Sequence, residues 1–213
     1  MNTHSAACFD ALASDVLWRT FTPEEQSKVD VFVRCWGIRP GDRVLEPGCG
    51  SGRLTAVLAD LTGPTGRVVA FDCSAEFLRL AAQRNLPPHV ALHAAWAEAM
   101  PLASESFDHV VCFNVFPHLM PQALITRRLV AALRPGGVFW IAHTCSRPSV
   151  NAVHRRGAPA MHDHIIPDPR RLACLLRGAG LKEVEIEDGT SHFLARALRP
   201  AAKSATSHDA SNV

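Results

Sequence analysis

Short apolar runs alternate with amphipathic stretches along most of the chain, at spacings typical of strands followed by helices. The apolar runs predict strands at residues 43–46, 67–71, 90–94, 108–114, 138–143, 182–187 and 192–198. The amphipathic stretches predict helices at residues 23–36, 53–60, 74–85, 122–133 and 169–177. Because the middle strands are apolar throughout, they must be covered on both faces. We therefore expect an α/β fold: a doubly wound, mostly parallel seven-stranded sheet with helices on both faces.

The limits of the predicted domain follow from where this pattern begins and ends. Thr22 and Pro23 open the first helix with a capping side chain and a proline, and two glutamates follow near the positive helix end. We expect a domain over residues 23–199, preceded by an N-terminal segment, 1–22, that is partly disordered. Residues 200–213 are small and polar without apolar periodicity, which predicts a disordered tail.

Composition and charge exclude several other classes of protein. A net charge of +2 gives no electrostatic argument for a nucleic-acid or membrane partner, and no apolar run is long enough to span a bilayer. The seven cysteines are scattered without a CxxC pair, and the first ten residues lack the pattern of a signal peptide. We therefore expect a cytoplasmic protein with reduced cysteines.

A glycine turn after the first predicted strand carries the clearest chemistry. Gly48, Gly50 and Gly52 alternate directly before a helix whose N-terminal amides can face a ligand. Their spacing is not that of a dinucleotide fingerprint, and no lysine followed by Ser or Thr completes a phosphate loop. Glu46 would repel a pyrophosphate and attract an ammonium group, and Asp72 can accept both hydroxyls of a ribose. S-adenosylmethionine is a ribose-bearing cation without phosphates and fits this pattern.

Five segments, in order, resemble the class I S-adenosylmethionine-dependent methyltransferases that act on small molecules. They are VLEPGCGSG (44–52), VAFDCS (69–74), AEAMPL (97–102), SFDHVV (106–111) and LRPGG (133–137), the last of these before the fifth predicted strand. The resemblance extends over roughly residues 40–198. It implies that the protein binds S-adenosylmethionine and transfers its methyl group to a small-molecule acceptor.

The resemblance also implies roles for individual residues. The glycines would lie against the methionine and ribose portions of the cofactor, Asp72 would hold the ribose hydroxyls, and Cys73 would pack beside the adenine. Ala97 would offer backbone groups to the adenine edge, and Asn114 would face the methionine end and the acceptor. Family members commonly have an aspartate where this chain has Trp96. An indole can cover the purine but cannot accept a hydrogen bond from its amino group.

The acceptor would lie near the loops that follow the fourth and fifth predicted strands, where several histidines occur. Methyl transfer from a sulfonium needs alignment and exclusion of water, and it needs a base only if the acceptor loses a proton. The candidate catalytic residues are Asn114, His118 and His143, with His118 as the general base. The sequence at 114–117 is not the motif that nucleic-acid methyltransferases often carry at this place, which favours a small-molecule acceptor.

Two alternatives remain open at this point. In the first, His118, His154, His162 and His164 bind a divalent metal that orients or activates the acceptor, since the spacing of His162 and His164 places two imidazoles on one side of an extended segment. In the second, the protein binds S-adenosylmethionine without catalysing a reaction, as a sensor or partner subunit.

Overall fold

The computed structural model describes residues 9–13 and 18–201. The strands are β1 (Arg43–Pro47), β2 (Arg67–Asp72), β3 (Val90–Ala94), β4 (Phe107–Phe113), β5 (Leu133–His143), β6 (Lys182–Asp188) and β7 (Phe193–Leu198). The helices are α1 (Pro23–Trp36), α2 (Arg53–Thr62), α3 (Ala75–Ala82), α4 (Gln122–Ala132), α5 (Arg147–Arg156) and α6 (Pro169–Gly178). Two short 3-10 helices lie at Phe116–His118 and Pro159–Met161.

The seven strands form one sheet in the order β3-β2-β1-β4-β5-β7-β6. The pairings among β1 to β5 are all parallel, whereas β7 runs antiparallel to both β5 and β6. The strand order reverses between β1 and β4, which is the switch point where doubly wound sheets bind ligands. The predicted α/β fold with a mostly parallel seven-stranded sheet is confirmed.

The core lies on both faces of the sheet, because neighbouring side chains along a strand point in opposite directions. In β1, Val44 packs into the layer covered by α1 and α2, and Leu45 packs into the layer covered by α4 and α6. Both side chains are completely buried. This arrangement explains the continuous apolar runs of the middle strands.

The structure adds one helix and corrects two predicted boundaries. Helix α5 was not predicted, although Ser146 caps it and Pro148 lies in its first turn. Strand β5 begins at Leu133 instead of 138, so the LRPGG segment (133–137) lies within it, at an irregularity in its pairing with β4. Helix α3 ends at Ala82 instead of 85, and Asn85 has a left-handed φ of 52° that cannot continue a helix.

Two further expectations concern the chain ends. The predicted helix start is present: Thr22 Oγ1 accepts a hydrogen bond from the Glu25 amide, and the Glu25 carboxylate accepts one from the Thr22 amide. The expected disorder within residues 1–22 and of the tail, 200–213, stays a prediction, because residues 1–8, 14–17 and 202–213 lie outside the described residues. Within the described part of the chain, no helix is both long and apolar enough to cross a bilayer.

Candidate cofactor and acceptor site

A cavity of about 230 Å³ opens at the carboxyl ends of β1, β2 and β4, beside the switch point of the sheet. Most of the predicted site residues line it, together with residues that the sequence did not indicate. The predicted residues on its wall are Glu46, Gly48, Gly50, Asp72, Cys73, Trp96, Ala97, Asn114, His118 and His164. Residues separated by more than a hundred positions therefore meet at one place.

The glycine turn forms the floor of this cavity between β1 and α2. Gly48, Gly50 and Gly52 all have left-handed φ values, of 67°, 54° and 75°. A Cβ atom at Gly48 would lie 2.1 Å from Val115 Cγ2, whereas one at Gly50 would meet no atom within 4 Å. Gly48 is thus required for close packing, and Gly50 leaves open space for a ligand. Gly52 does not line the cavity, because it caps α2 and packs towards Ala81.

Glu46 ends up buried beneath the turn, with 2% of its surface exposed. Thr55 Oγ1 of α2 donates a hydrogen bond of 2.7 Å to its carboxyl group. Burial raises the pKa of Glu46 to about 8. The carboxyl group therefore holds a proton near neutral pH, and a cation placed beside it would lower the pKa again.

Asp72 lies on the other side of the turn, at the end of β2. One carboxyl oxygen accepts a 2.8 Å hydrogen bond from the Gly50 amide, and the other accepts a 2.9 Å hydrogen bond from the Ser74 amide. Burial raises the pKa of Asp72, and these amide hydrogen bonds oppose the shift. Because each carboxylate oxygen has more than one lone pair, both can still accept hydroxyl groups of a ligand.

The wall expected to face adenine consists of Cys73, Trp96 and Ala97. The Trp96 carbonyl accepts hydrogen bonds from the Ala99 and Met100 amides, which fold the segment after β3 into a turn. Burial raises the pKa of the Cys73 thiol to about 12, so this cysteine is a neutral packing group. The indole of Trp96 borders the same cavity as a flat apolar surface.

His118 and His164 line the opposite end of the cavity, and His154 of α5 packs behind them. His118 Nδ1 lies 3.0 Å from His164 Nδ1, and the rings of His118 and His154 meet edge to face at 4.7 Å. Phe9 adds an edge contact to His118, with ring centroids 5.1 Å apart. Burial and, to a smaller extent, the neighbouring imidazoles of His154, His164 and His143 together lower the pKa of His118 to about 3. His118 is therefore neutral at physiological pH.

Two predicted catalytic residues take other positions. Asn114 lines the cavity, but its side chain is bound to Thr144: Nδ2 donates to Thr144 Oγ1 at 3.2 Å, and Oδ1 accepts from the Thr144 amide at 3.0 Å. Asn114 thus joins the ends of β4 and β5. His143 is 2% exposed and does not line the cavity, and its buried Nε2 has no hydrogen-bond partner among residues 9–13 and 18–201. His143 therefore does not face the cavity in which an acceptor would lie.

The predicted metal site is not supported by the geometry. Among residues 9–13 and 18–201, no group of three or more His, Cys, Asp or Glu side chains could hold a metal ion. The Nδ1 atoms of His118 and His164 face each other, and His154 Nδ1 donates to the His164 carbonyl. His162 is exposed, and its Nε2 bonds the Gly157 carbonyl. These nitrogens are directed at protein groups and do not converge on one point.

Comparison with known proteins agrees with the geometry. The profile of a family described as "Methyltransferase domain" matches residues 44–137. The chain is 32% identical over 145 residues to the ubiquinone/menaquinone biosynthesis C-methyltransferase UbiE of Ectopseudomonas mendocina, covering 63% of this chain and 53% of that protein. It is 29% identical over 161 residues to the ubiquinone biosynthesis O-methyltransferase of Xanthomonas campestris, covering 70% of this chain and 65% of that protein.

Residues 44–137 are thus a methyltransferase domain, and the chain resembles the class I S-adenosylmethionine-dependent methyltransferases.

The extent of these matches differs between sequence and fold. The chain spans about half to two thirds of the length of the curated methyltransferases it matches. Its fold superimposes on the crystal structure of a methyltransferase from Aquifex aeolicus with a TM-score of 0.69, covering 91% of this chain and 98% of that one. At 18% identity, this second similarity concerns the methyltransferase fold alone.

Several residues of the methyltransferase site were not predicted from the sequence. Phe9 and Trp18 line the cavity but lie in a segment without a recognisable pattern. Arg53 also lines it, with its guanidinium 4.5 Å from the centre of the Phe21 ring and 3.3 Å from the Glu25 carboxylate. Its place directly after the glycine turn is a signal that could have identified it. Thr55 could not be identified from the sequence, because its hydrogen-bond partner, Glu46, lies nine residues earlier.

Proposed function

We propose that the protein is a methyltransferase that transfers the methyl group of S-adenosylmethionine to a small, uncharged acceptor, leaving S-adenosylhomocysteine. One observation carries this proposal: two buried carboxyl groups, Glu46 and Asp72, flank a left-handed glycine turn in a cavity whose other end holds the neutral His118. The first end suits a ribose and an ammonium group. The second end suits an acceptor that donates a hydrogen bond.

In this proposal the cofactor lies across the glycine turn. Asp72 accepts the ribose hydroxyls, and Glu46 faces the α-ammonium group and is ionised by it. Gly50 provides the open space through which the ligand approaches the backbone. Cys73, Trp96 and Ala97 cover the adenine. When bound, S-adenosylmethionine supplies the methyl group on a sulfonium, and the protein aligns it with the acceptor and excludes water.

The character of the acceptor follows from the wall opposite the glycine turn. The described residues at this end are apolar or imidazole side chains that are neutral at physiological pH: Phe9, His118, Leu119, Met120 and His164. Without a fixed charge, this wall favours an uncharged acceptor. His118 accepts the proton of a hydroxyl, thiol or similar group as the methyl is transferred. The names of the curated relatives, a C-methyltransferase and an O-methyltransferase, support a small-molecule acceptor.

The proposal also covers the limits of the domain and the cellular compartment of the protein. We assign the methyltransferase domain to residues 23–199 and place the protein in the cytoplasm. The six cysteines within the described residues are free thiols, which agrees with a reducing compartment. Three of them, Cys35, Cys145 and Cys174, are exposed.

Calorimetry with S-adenosylhomocysteine tests the cofactor assignment. We expect the Asp72→Ala variant to bind at least about tenfold more weakly than wild type, since hydrogen bonds to a charged group contribute roughly 1.5–3 kcal/mol. Asp60→Ala, which removes an exposed carboxylate at the far end of α2, is the matched control and should bind as wild type does. Equal affinity of wild type and Asp72→Ala would refute the assigned site.

A further inference from the structure

Two of the histidines at the acceptor end are joined ring to ring, and their contact has a chemical consequence. His118 follows β4 and His164 lies 46 positions later, yet their Nδ1 atoms are 3.0 Å apart. A hydrogen bond at this distance requires one nitrogen to carry the proton and the other to offer its lone pair. The hydrogen bond on one imidazole nitrogen determines the protonation of the other.

The surroundings of the pair are asymmetric. The titratable groups that act on His118 are the imidazoles of His143, His154 and His164, and none of them is acidic. His164 faces His154 as well, but the Asp163 carboxylate beside it raises its pKa against the lowering effect of burial. An additional positive charge is therefore better accommodated on His164 than on His118. His154 Nδ1 donates to the His164 carbonyl and holds the backbone of this segment in place.

The free nitrogen of His118 is the one available to a ligand. His118 lines the cavity, its Nδ1 is used by His164, and its Nε2 has no hydrogen-bond partner among the described residues. We propose that His164 is a positioning residue: it holds His118 in the Nδ1–H tautomer and so directs the Nε2 lone pair of His118 into the cavity. During methyl transfer, His164 accepts the Nδ1 proton of His118. This inference rests on the proposed function, because it assigns the proton path of that reaction.

The step balances without a further reactant. The acceptor atom forms a bond to the methyl carbon as its proton moves to His118 Nε2. The carbon–sulfur bond breaks, its electron pair stays on sulfur, and the cationic sulfonium becomes a neutral thioether. His118 passes its Nδ1 proton to His164 Nδ1, so that the positive charge lost by sulfur resides on the His164 imidazolium. His164 then releases this proton to water.

Nitrogen-detected NMR of the histidine side chains tests the proposal directly, on wild type with and without S-adenosylhomocysteine. We expect His118 to carry its proton on Nδ1 and to have a bare Nε2, and we expect His164 to become protonated before His118 as the pH is lowered. A His118 ring protonated on Nε2, or one that titrates before His164, would overturn the proposal. This measurement needs no variant, so it does not depend on how well a variant folds.

Substitutions at position 164 separate the two parts of the proposal. His164→Phe keeps a ring but removes the acceptor, and most of the His118 population should then move to the Nε2–H tautomer. His164→Gln offers a carbonyl oxygen that can accept the Nδ1 proton in a hydrogen bond, and should restore the wild-type tautomer. His162→Phe, at the exposed neighbouring histidine, should leave His118 unchanged. No change in His164→Phe would contradict the proposal. Failure to bind S-adenosylhomocysteine would instead refute the proposed function, since the tautomers are also measured without ligand.

Discussion

At the scale of single residues, Glu46 is where protonation and cofactor binding are linked most directly. Its buried carboxyl group has a pKa raised to about 8 in the ligand-free protein. An α-ammonium group beside it favours the carboxylate, so binding at pH 7 should release a proton. We expect the affinity for S-adenosylhomocysteine to fall by up to about tenfold per pH unit as the pH drops from about 7.5 to about 6.

Calorimetry in two buffers of different ionisation enthalpy measures this proton release. Glu46→Gln should bind more weakly at pH 7.5 and should lose the pH dependence, because the amide does not ionise. Glu98→Gln removes an exposed carboxylate from the wall of the same cavity and should retain the dependence. If wild type and Glu46→Gln showed the same pH dependence, Glu46 would not face the ammonium group.

At the scale of elements, two glycines of the same turn have different roles: Gly48 allows close packing, and Gly50 leaves space for a ligand. Both Gly48 and Gly50 have left-handed φ values, so alanine at either position costs roughly 1–2 kcal/mol in backbone strain. At Gly48 the new methyl group would also overlap Val115, adding about 1–3 kcal/mol. We expect Gly48→Ala to be the less stable protein in urea unfolding, and Gly50→Ala to lose cofactor affinity while remaining folded.

The double variant Gly48→Ala/Val115→Ala tests the cause of this loss. Removal of the Val115 methyl groups takes away the closest overlap, but the Val115 Cβ atom still lies 2.9 Å from the new Cβ atom, so only part of the stability should return. Combining Val115→Ala with Gly50→Ala should bring no comparable recovery, because no atom lies within 4 Å of a Cβ at Gly50. If Gly48→Ala and Gly48→Ala/Val115→Ala were equally stable, backbone strain alone would account for the loss of stability in Gly48→Ala.

Helix α5 holds the segment that carries His164. Asn151 is 5% exposed; its amide donates to the Ile166 carbonyl at 2.9 Å, and its oxygen accepts from the Ile166 amide at 2.8 Å. Asn151→Ala leaves both backbone groups without partners, and we expect a loss of about 2–4 kcal/mol in urea unfolding. Ser149→Ala, on the exposed side of the helix, should lose less than about 1 kcal/mol. A similar loss in both variants would mean that the Asn151 bridge contributes little.

These elements also mark how far sequence reasoning extends. The glycine turn, Glu46 and Asp72 could be predicted because their positions follow from local order: a strand end, a turn and the next strand end. Helix α5 was missed because its sequence is polar, with Asn151 as its buried residue. The pair formed by His118 and His164 depends on how α5 and the following segment return to β4. A pairing between residues 46 positions apart leaves no periodic trace in the sequence, so the sequence predicts His118 as a general base or, alternatively, both histidines as metal ligands.

At the scale of the whole molecule, two buried histidines and a buried glutamate have opposite effects on how the free energy of unfolding changes with pH. Burial lowers the pKa of His118 and His143 from 6.5 to about 3, so the stability they contribute is complete above pH 6.5 and is lost as the pH falls towards 3. Burial raises the pKa of Glu46 from 4.5 to about 8, so its contribution is complete below pH 4.5 and is lost as the pH rises towards 8. Between pH 4.5 and 6.5 the glutamate therefore offsets one of the two histidines.

Cofactor binding should remove this compensation. With the α-ammonium of S-adenosylhomocysteine beside it, Glu46 stays ionised in the folded protein and no longer opposes the histidines. We expect the free energy of unfolding, measured in urea from pH 6.5 to 5, to fall more steeply with saturating S-adenosylhomocysteine, by about 1.4 kcal/mol per pH unit. The liganded protein should still be the more stable form at pH 6.5, by about 2.7 kcal/mol at a hundredfold excess over Kd.

Two variants serve as controls for these slopes. His143→Phe should reduce the slope of each form by about 1.4 kcal/mol per pH unit, which corresponds to one proton. His162→Gln, at an exposed position, should change neither slope. Identical slopes with and without the ligand would mean that Glu46 remains protonated in the complex, and that the ammonium group lies elsewhere.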